Sequence, residues 1–234
     1  MDESPRNGIG GAAASAPVAL SGVAVDVERV PVLRGLDLAV GVGESVGVVG
    51  PNGSGKSTLL RVVATLLSPV AGTGHVLGAE LGTSGCARIR PAIALVEHVP
   101  ALYPPLSLRE NLLLTARLTG RAETAVDEVL RTVGLAGAGT RRADRCSQGM
   151  QRRAALARAL LTDPLLLLLD EVHSGLDPAA LGLVDLLLRR VRHRGGAAVV
   201  VSHDRHHLAA AADRVVEISD GRVHPVWDVR QVPA

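Results

Sequence analysis

Gly50 to Thr58 reads Gly-Pro-Asn-Gly-Ser-Gly-Lys-Ser-Thr, and its residue types and spacing are those of a loop that grips phosphate. The pattern fits G-x-x-x-x-G-K-[ST], in which glycines let backbone N–H groups turn inward on an anion. Gly50, Pro51, Asn52, Gly53, Ser54 and Gly55 form the cradle. Lys56 is placed to reach the β- and γ-phosphates of a nucleotide, and the Ser57 hydroxyl, followed by Thr58, to reach a Mg²⁺ ion. Among 25 Lys plus Arg residues Lys56 is the sole lysine. A compact ammonium fits between phosphates where a planar guanidinium does not.

Two further strand-like runs end in reactive side chains. Leu165 to Leu169 stops at Asp170-Glu171, and Ala197 to Val201 stops at Ser202-His203-Asp204. In open α/β sheets ligands sit beyond the carboxyl ends of the strands, so these three endings converge on one site. Asp170 would face a magnesium shell, leaving Glu171 to polarise an attacking water, which is a hydrolase arrangement. Taken alone, Asp170-Glu171 reads sooner as a capping pair of acids, and only the phosphate loop beside it reverses that. His203, His206 and His207 lack a carboxylate or cysteine frame and read as a solvated helix start rather than a metal centre.

Stepping outward, the elements that must hold these residues follow from periodicity. Leu20 to Val27 and Val30 to Val40 predict strands of a small antiparallel sheet, Val46 to Val49 a buried strand, and Thr58 to Leu67 the helix behind the loop. Gly72 to Gly78 predicts a hairpin or edge element and Ile93 to Val96 another strand. Ser107-Leu108-Arg109-Glu110 is a capping box that opens a helix ending at Gly120, and Ala122 to Val133 predicts a second helix. Helices over Gln151 to Leu161, Pro178 to Arg192 and His207 to Ala212 alternate with strands over Leu165 to Leu169, Ala197 to Ser202 and Arg214 to Ile218. The class is α/β, with a mostly parallel central sheet, a small antiparallel subdomain and a helical lobe inserted over about residues 100–148. Residues 1–17 and 224–234 read as tails around a folded unit spanning 18–223.

Composition narrows the partners. Net charge is +2, so the arginines are balanced by acids and nucleic acid is disfavoured as a partner. No apolar run reaches the length of a membrane span. Cys86 and Cys146 have no metal-ligand spacing and suit a reducing compartment. Phe is absent and Tyr103 and Trp227 are the only aromatics, so Leu, Val and Ala must build the core.

Over residues 20–223 this combination resembles the ATP-binding subunit of ATP-binding cassette (ABC) transporters, a P-loop NTPase, and especially haem-exporter-like and ABC-2-type export cassettes. By that resemblance Gly50 to Thr58 is the Walker A loop, Leu165 to Asp170 the Walker B strand, and Glu171 the catalytic base. Ser174-Gly175-Leu176-Asp177 is similar to the D-loop and His203 to the switch histidine. Cys146-Ser147-Gln148-Gly149-Met150 stands at the signature, with Gln148 and Met150 replacing its usual residues and Ser147 and Gly149 retained. Ser147 and Gly149 open a long helix, a second anion-binding N-terminus. His98 stands at the Q-loop glutamine, where it can donate or accept a hydrogen bond. Val27 stands where an aromatic would stack on adenine and offers apolar contact only, which implies loose base selectivity. Val172 replaces the proline after the base.

The resemblance implies ATP and Mg²⁺ as cofactors, and a homodimer or heterodimer with ATP at a head-to-tail interface. It further implies a separate transmembrane permease subunit, and a place on the cytoplasmic face of the membrane. Export is favoured over import. The alternative is a soluble ABC-type ATPase with a regulatory or repair role.

Overall fold

Valines and leucines alternate with exposed residues along Val18–Val27 (β1) and Val30–Val40 (β2), which pair antiparallel. The turn between them, Glu28-Arg29, places both residues at positive φ, 51° and 67°. That geometry matches the twist of a two-residue hairpin, although neither residue is the glycine or asparagine that usually adopts it. In the computed structural model, which describes residues 16–172 and 178–228, Ala71–Val76 (β4) pairs with β1 and Ala79–Glu80 (β5) with β4. The hairpin read at Gly72 to Gly78 is therefore present, in a four-stranded antiparallel sheet of order β2-β1-β4-β5.

The second sheet contains Ser45–Val49 (β3), Ile93–Val96 (β6), Leu166–Asp170 (β7), Ala197–Val201 (β8), Arg214–Ser219 (β9) and Arg222–Asp228 (β10). Its order is β10-β9-β3-β8-β7-β6, parallel throughout except for β10 against β9. Strand β10 runs on to Asp228, beyond the end of the folded unit at 223 read from the sequence. It lies at the sheet edge, where Pro225 costs no ladder bond. All residues of β7 and β8 are buried. Leu167, Leu169 and Val200 pack into one apolar cluster and Leu166, Leu168, Val199 and Val201 into another, one on each face of the sheet. The two-residue period of a strand covered on both sides produces this division.

The helices are Lys56–Val63 (α1), Gly85–Ile89 (α2), Leu108–Thr119 (α3), Ala125–Thr132 (α4), Gln148–Thr162 (α5), Pro178–His193 (α6) and Arg205–Ala211 (α7). Helix α1 starts two residues before Thr58 and stops short of Leu67. Thr65, at φ 60°, ends it: Thr65 N donates to Val62 O at 2.9 Å and Leu66 N to Arg61 O at 2.8 Å. This is a Schellman closure with threonine where glycine is usual. Arg90 holds Thr65 there, donating to Thr65 Oγ1 (3.1 Å) and to its carbonyl (2.9 Å).

Helices α3, α4 and α5 pack on one another as the helical lobe. The capping box forms as read: Glu110 N donates to Ser107 Oγ at 3.1 Å, and Ser107 N to Glu110 Oε2 at 2.7 Å. Hydrogen bonds from the Ser107 side chain, then from its backbone, hold the Glu110 carboxyl below its ordinary value. A depressed carboxyl stabilises the fold above its unfolded value and loses that contribution as pH falls through the folded one. Ser107→Ala is expected to destabilise the chain by about 1 kcal/mol at neutral pH. In urea melts the gap between wild type and Glu110→Gln should close on acidification below the carboxylate range.

Candidate functional site

Strands β3, β8 and β7 are neighbours, so their carboxyl ends bring the phosphate loop, Ser202-His203 and Asp170-Glu171 to one edge of the sheet. A cleft of about 370 Å³ opens there, lined by Asn52, Gly53, Gly55, Lys56, Ser57, Thr58, Asp170, Glu171 and His203, with Val27 and Val32 at its margin.

The loop requires its glycines. Gly50 has φ 147°, and a Cβ there would sit 2.2 Å from the Ile218 carbonyl. Gly55 has φ 104°, and its Cβ would meet Leu33 Cδ2 at 2.8 Å. At Gly50 no L side chain fits without moving β9, and at Gly55 one would be strained by the positive φ and crowd the Leu33 side chain. Lys56, only 8% exposed, donates to the carbonyls of Gly50 and Pro51, each at 2.8 Å. An ammonium has three protons, so one remains for a ligand. Behind it α1 presents the open N–H groups of its first turn.

Glu171 is the most constrained residue of the cleft. It takes φ 52°, a conformation that costs a residue with a side chain about 1–3 kcal/mol. Its N–H donates to Val201 O at 3.0 Å, tying the end of β7 to β8. His203 N donates to Glu171 Oε2 at 3.3 Å. His203 Nε2 lies 3.2 Å from Glu171 Oε1, within ion-pair range but off the hydrogen-bond axis. Oε1 makes no hydrogen bond within the described residues although the His203 ring stands beside it, so it can still accept one from outside. A water aimed at that oxygen would supply it.

Asp170 is 9% exposed at the end of β7, and Ser57 lines the same cleft. Two oxygen donors suit a hard cation such as Mg²⁺. Among the described residues no group of three or more His, Cys, Asp or Glu could hold a metal alone. The cation would therefore complete its shell with water and phosphate oxygens, as Mg²⁺ at nucleotide sites does.

Other residues singled out from the sequence lie elsewhere. His98 is exposed just past β6 and does not line the cleft. Ser147 caps α5, accepting from Met150 N at 3.3 Å, and neither it nor Gly149 lines the cleft. Pro51 and Ser54 border an adjoining groove with Asp220 and Gly221. Asp177 and the rest of 173–177 fall outside the described residues. Val32 was not singled out; its place in the cleft follows from β2 passing close to the loop, which no local signal in β2 records.

A glycine-rich loop between a parallel strand and a helix, faced by carboxylates and a histidine from adjacent strand ends, defines a P-loop nucleoside triphosphatase. The family profile described as ABC transporter matches residues 33–174. The chain belongs to the ABC transporter family, in which it is an ATP-binding subunit and an ATPase.

It is 40% identical over 224 residues to the lipoprotein-releasing system ATP-binding protein LolD of Anaeromyxobacter dehalogenans (strain 2CP-C), covering 90% of this chain and 93% of that one. It is 34% identical over 229 residues to the Nod factor export ATP-binding protein I of Rhizobium meliloti, covering 91% and 68%. With the methionine import ATP-binding protein MetN of Nocardia farcinica (strain IFM 10152) it shares 36% identity over 200 residues, covering 82% and 60%. Among solved structures, an ATP-binding subunit of an ABC transporter superposes with TM-score 0.80 at 26% identity, covering 89% of this chain and 90% of that one. A dimeric ATP-binding cassette in a post-hydrolysis state, bound to ADP and Pi, superposes with TM-score 0.82 at 26% identity, covering 92% and 100%.

Proposed function

We propose that this chain powers export through a separate membrane subunit by closing as a dimer on Mg-ATP and reopening after hydrolysis. The observation that carries the chemical part is the Glu171 carboxylate at the end of β7, its Oε1 still able to accept a hydrogen bond, in the cleft that also holds Lys56. Loop amides and Lys56 hold the β- and γ-phosphates. Bound Mg²⁺, held by Ser57 and Asp170, would neutralise phosphate charge. Glu171 accepts a proton from water as its oxygen attacks the γ-phosphorus. The bond from that phosphorus to the β–γ bridging oxygen then breaks, releasing ADP and phosphate. His203 steadies the Glu171 carboxylate through its N–H and with its ring beside Oε1; by the family resemblance that ring would turn to the γ-phosphate when nucleotide is bound.

Ser147 and Gly149 act in trans. Both lie away from their own chain's cleft, and a Cβ at Gly149 would meet nothing within 4 Å, so packing inside the chain does not demand that glycine. A second copy or a related partner turned head to tail brings this helix start onto the nucleotide. The dimeric post-hydrolysis neighbour supports such an assembly. The family resemblance assigns Asp177 to the same junction, and His98 relays contact from the membrane subunit. Direction is read as export from the Nod factor and lipoprotein-releasing relatives.

The membrane subunit docks against the helical lobe. A groove of about 190 Å³ lies between β6 and helices α3 and α5, bordered by Leu95, Glu97, Ala101, Leu118 and Arg158. Leu118 is 72% exposed, and Val99 and Tyr103 nearby are exposed as well. Arg158 donates to Ala101 O, yet its buried Nε has no partner, and burial pulls the guanidinium down from its ordinary value. Among the described residues no helix is long and apolar enough to cross a membrane. The ATP-binding relatives support a place against a membrane subunit on the cytoplasmic face.

The test is purification from membranes together with an ATPase assay. Recovery of a multi-spanning protein with the chain, and Mg-dependent ATP hydrolysis, are expected. Leu118→Asp should abolish co-purification and leave basal hydrolysis unchanged. A chain that never recovers an integral membrane protein would instead act without a membrane partner.

A further inference from the structure

Helix α5 begins away from its own chain's cleft, and a single side chain fixes the direction of that beginning. Cys146 (φ −91°, ψ 150°) and Ser147 (φ −64°, ψ 158°) enter the helix extended. Ser147 Oγ accepts from Met150 N at 3.3 Å, which leaves the N–H groups of Gln148 and Gly149 open in the first turn. Ser147 and Gln148 are exposed. Gln151, one turn further on, reaches back across this start: its Nε2 donates to Ala143 O at 2.8 Å and to Cys146 O at 3.3 Å. A carboxamide nitrogen has two protons, so these carbonyls use both, and with two acceptors as partners only this orientation of the amide fits.

The turn held in this way rests on a fixed base. Ala143 is 2% exposed and donates its N–H to Leu106 O at 2.8 Å, and Asp144 N donates to Pro104 O at 3.1 Å. Residues 103–107 are clamped in turn by the buried Asn111, whose Oδ1 accepts from Tyr103 N at 2.7 Å and whose Nδ2 donates to Ser107 O at 3.0 Å. Helix α5 already has its cap in Ser147 and a buried face in Ala154, Leu156, Ala157 and Leu160, so it does not need Gln151 in order to form. What the Gln151 amide adds is the angle at which residues 143–147 meet the helix.

We propose that Gln151 is a positioning residue for the nucleotide site shared between two copies: it pins the turn 143–146 so that Ser147 Oγ and the N–H groups of Gln148 and Gly149 stay aimed off their own chain. The inference rests on the trans role proposed above for Ser147 and Gly149 and adds the residue that holds them in place. Gln151 touches no nucleotide itself. Donors already held in place lose little freedom when the second copy engages, which is how preorganisation strengthens an association.

The test is made with the Glu171→Gln chain, in which bound ATP is expected to persist. Analytical ultracentrifugation with Mg-ATP gives the protein concentration at which half the chains are dimeric, and titration with a non-hydrolysable analogue at high dilution gives the affinity of one chain alone. Adding Gln151→Glu, which keeps the shape but loses both donors, should raise the dimer midpoint about tenfold or more and leave one-chain affinity unchanged. Gln151→Leu, which brings no charge against the two carbonyls, should raise the midpoint in the same direction by less. With Glu171 intact, turnover of Gln151→Glu at saturating ATP should fall and should recover as the protein concentration is raised, which a misfolded chain would not do. Val126→Ala removes fully buried packing under α4 and is the control for lost stability: it should lower the melting temperature and leave the midpoint in place. A midpoint unmoved by both Gln151 variants, one that moves only together with lost one-chain binding, or one that Val126→Ala raises equally overturns the inference and leaves the phosphate site standing. If the Glu171→Gln chain binds Mg-ATP yet stays monomeric at every concentration, the trans reading falls and takes this inference with it.

Discussion

Glu171→Gln is expected to lower the rate of ATP hydrolysis by about 10²–10⁴-fold, the range a positioned general base contributes, while ATP still binds. The amide keeps the shape of the side chain and can still accept from His203 N, which donates to Oε2 at 3.3 Å. It cannot take a proton from water. Single-turnover hydrolysis should therefore fall by the same factor as steady-state turnover, because the chemical step itself is slowed. A dimer proposed to reopen only after cleavage should accumulate, so size-exclusion chromatography with Mg-ATP should show the variant shifted to twice the mass. A variant that hydrolyses ATP at the wild-type rate would transfer the base role to another group.

Lys56→Ala has the second large effect, acting on binding. Charge-assisted hydrogen bonds contribute about 1.5–3 kcal/mol each, so ATP affinity should drop about 10- to 100-fold, with hydrolysis lost at ordinary ATP concentrations. Lys56→Arg should restore little of it. Lys56 is 8% exposed beneath its loop, where it bonds two carbonyls at 2.8 Å, and a planar fork is too wide for that space. Isothermal titration with a non-hydrolysable analogue reads the change. An unchanged melting temperature separates lost ligand contacts from lost fold.

Legibility from the sequence followed the range of the interactions concerned. The phosphate loop could be read because its glycines, lysine and flanking elements are contiguous, and Asp170-Glu171 because a leucine run stops there. The convergence of three strand ends was an inference from class, and the order β3-β8-β7 makes it real. The φ of 52° at Glu171 and the His203 contacts to its carboxylate were invisible, because both depend on β7 lying beside β8.

Thr65 shows the same limit. A β-branched residue is a poor candidate for a left-handed stop, and only Arg90, twenty-five positions on, makes it one. Strand β10 went unread past 223 because Pro225 argues against a strand unless the strand is known to be an edge. His98 is assigned by resemblance alone; it is exposed and does not line the cleft.

The central claim is that one cleft both grips the triphosphate and cuts it. A crystal structure of Glu171→Gln with Mg-ATP tests this most directly. The account predicts intact ATP with its γ-phosphate against Lys56 Nζ and the loop amides, and a water between the phosphorus and the residue 171 side chain. ATP bound elsewhere, or that cleft empty at saturating nucleotide, would contradict it.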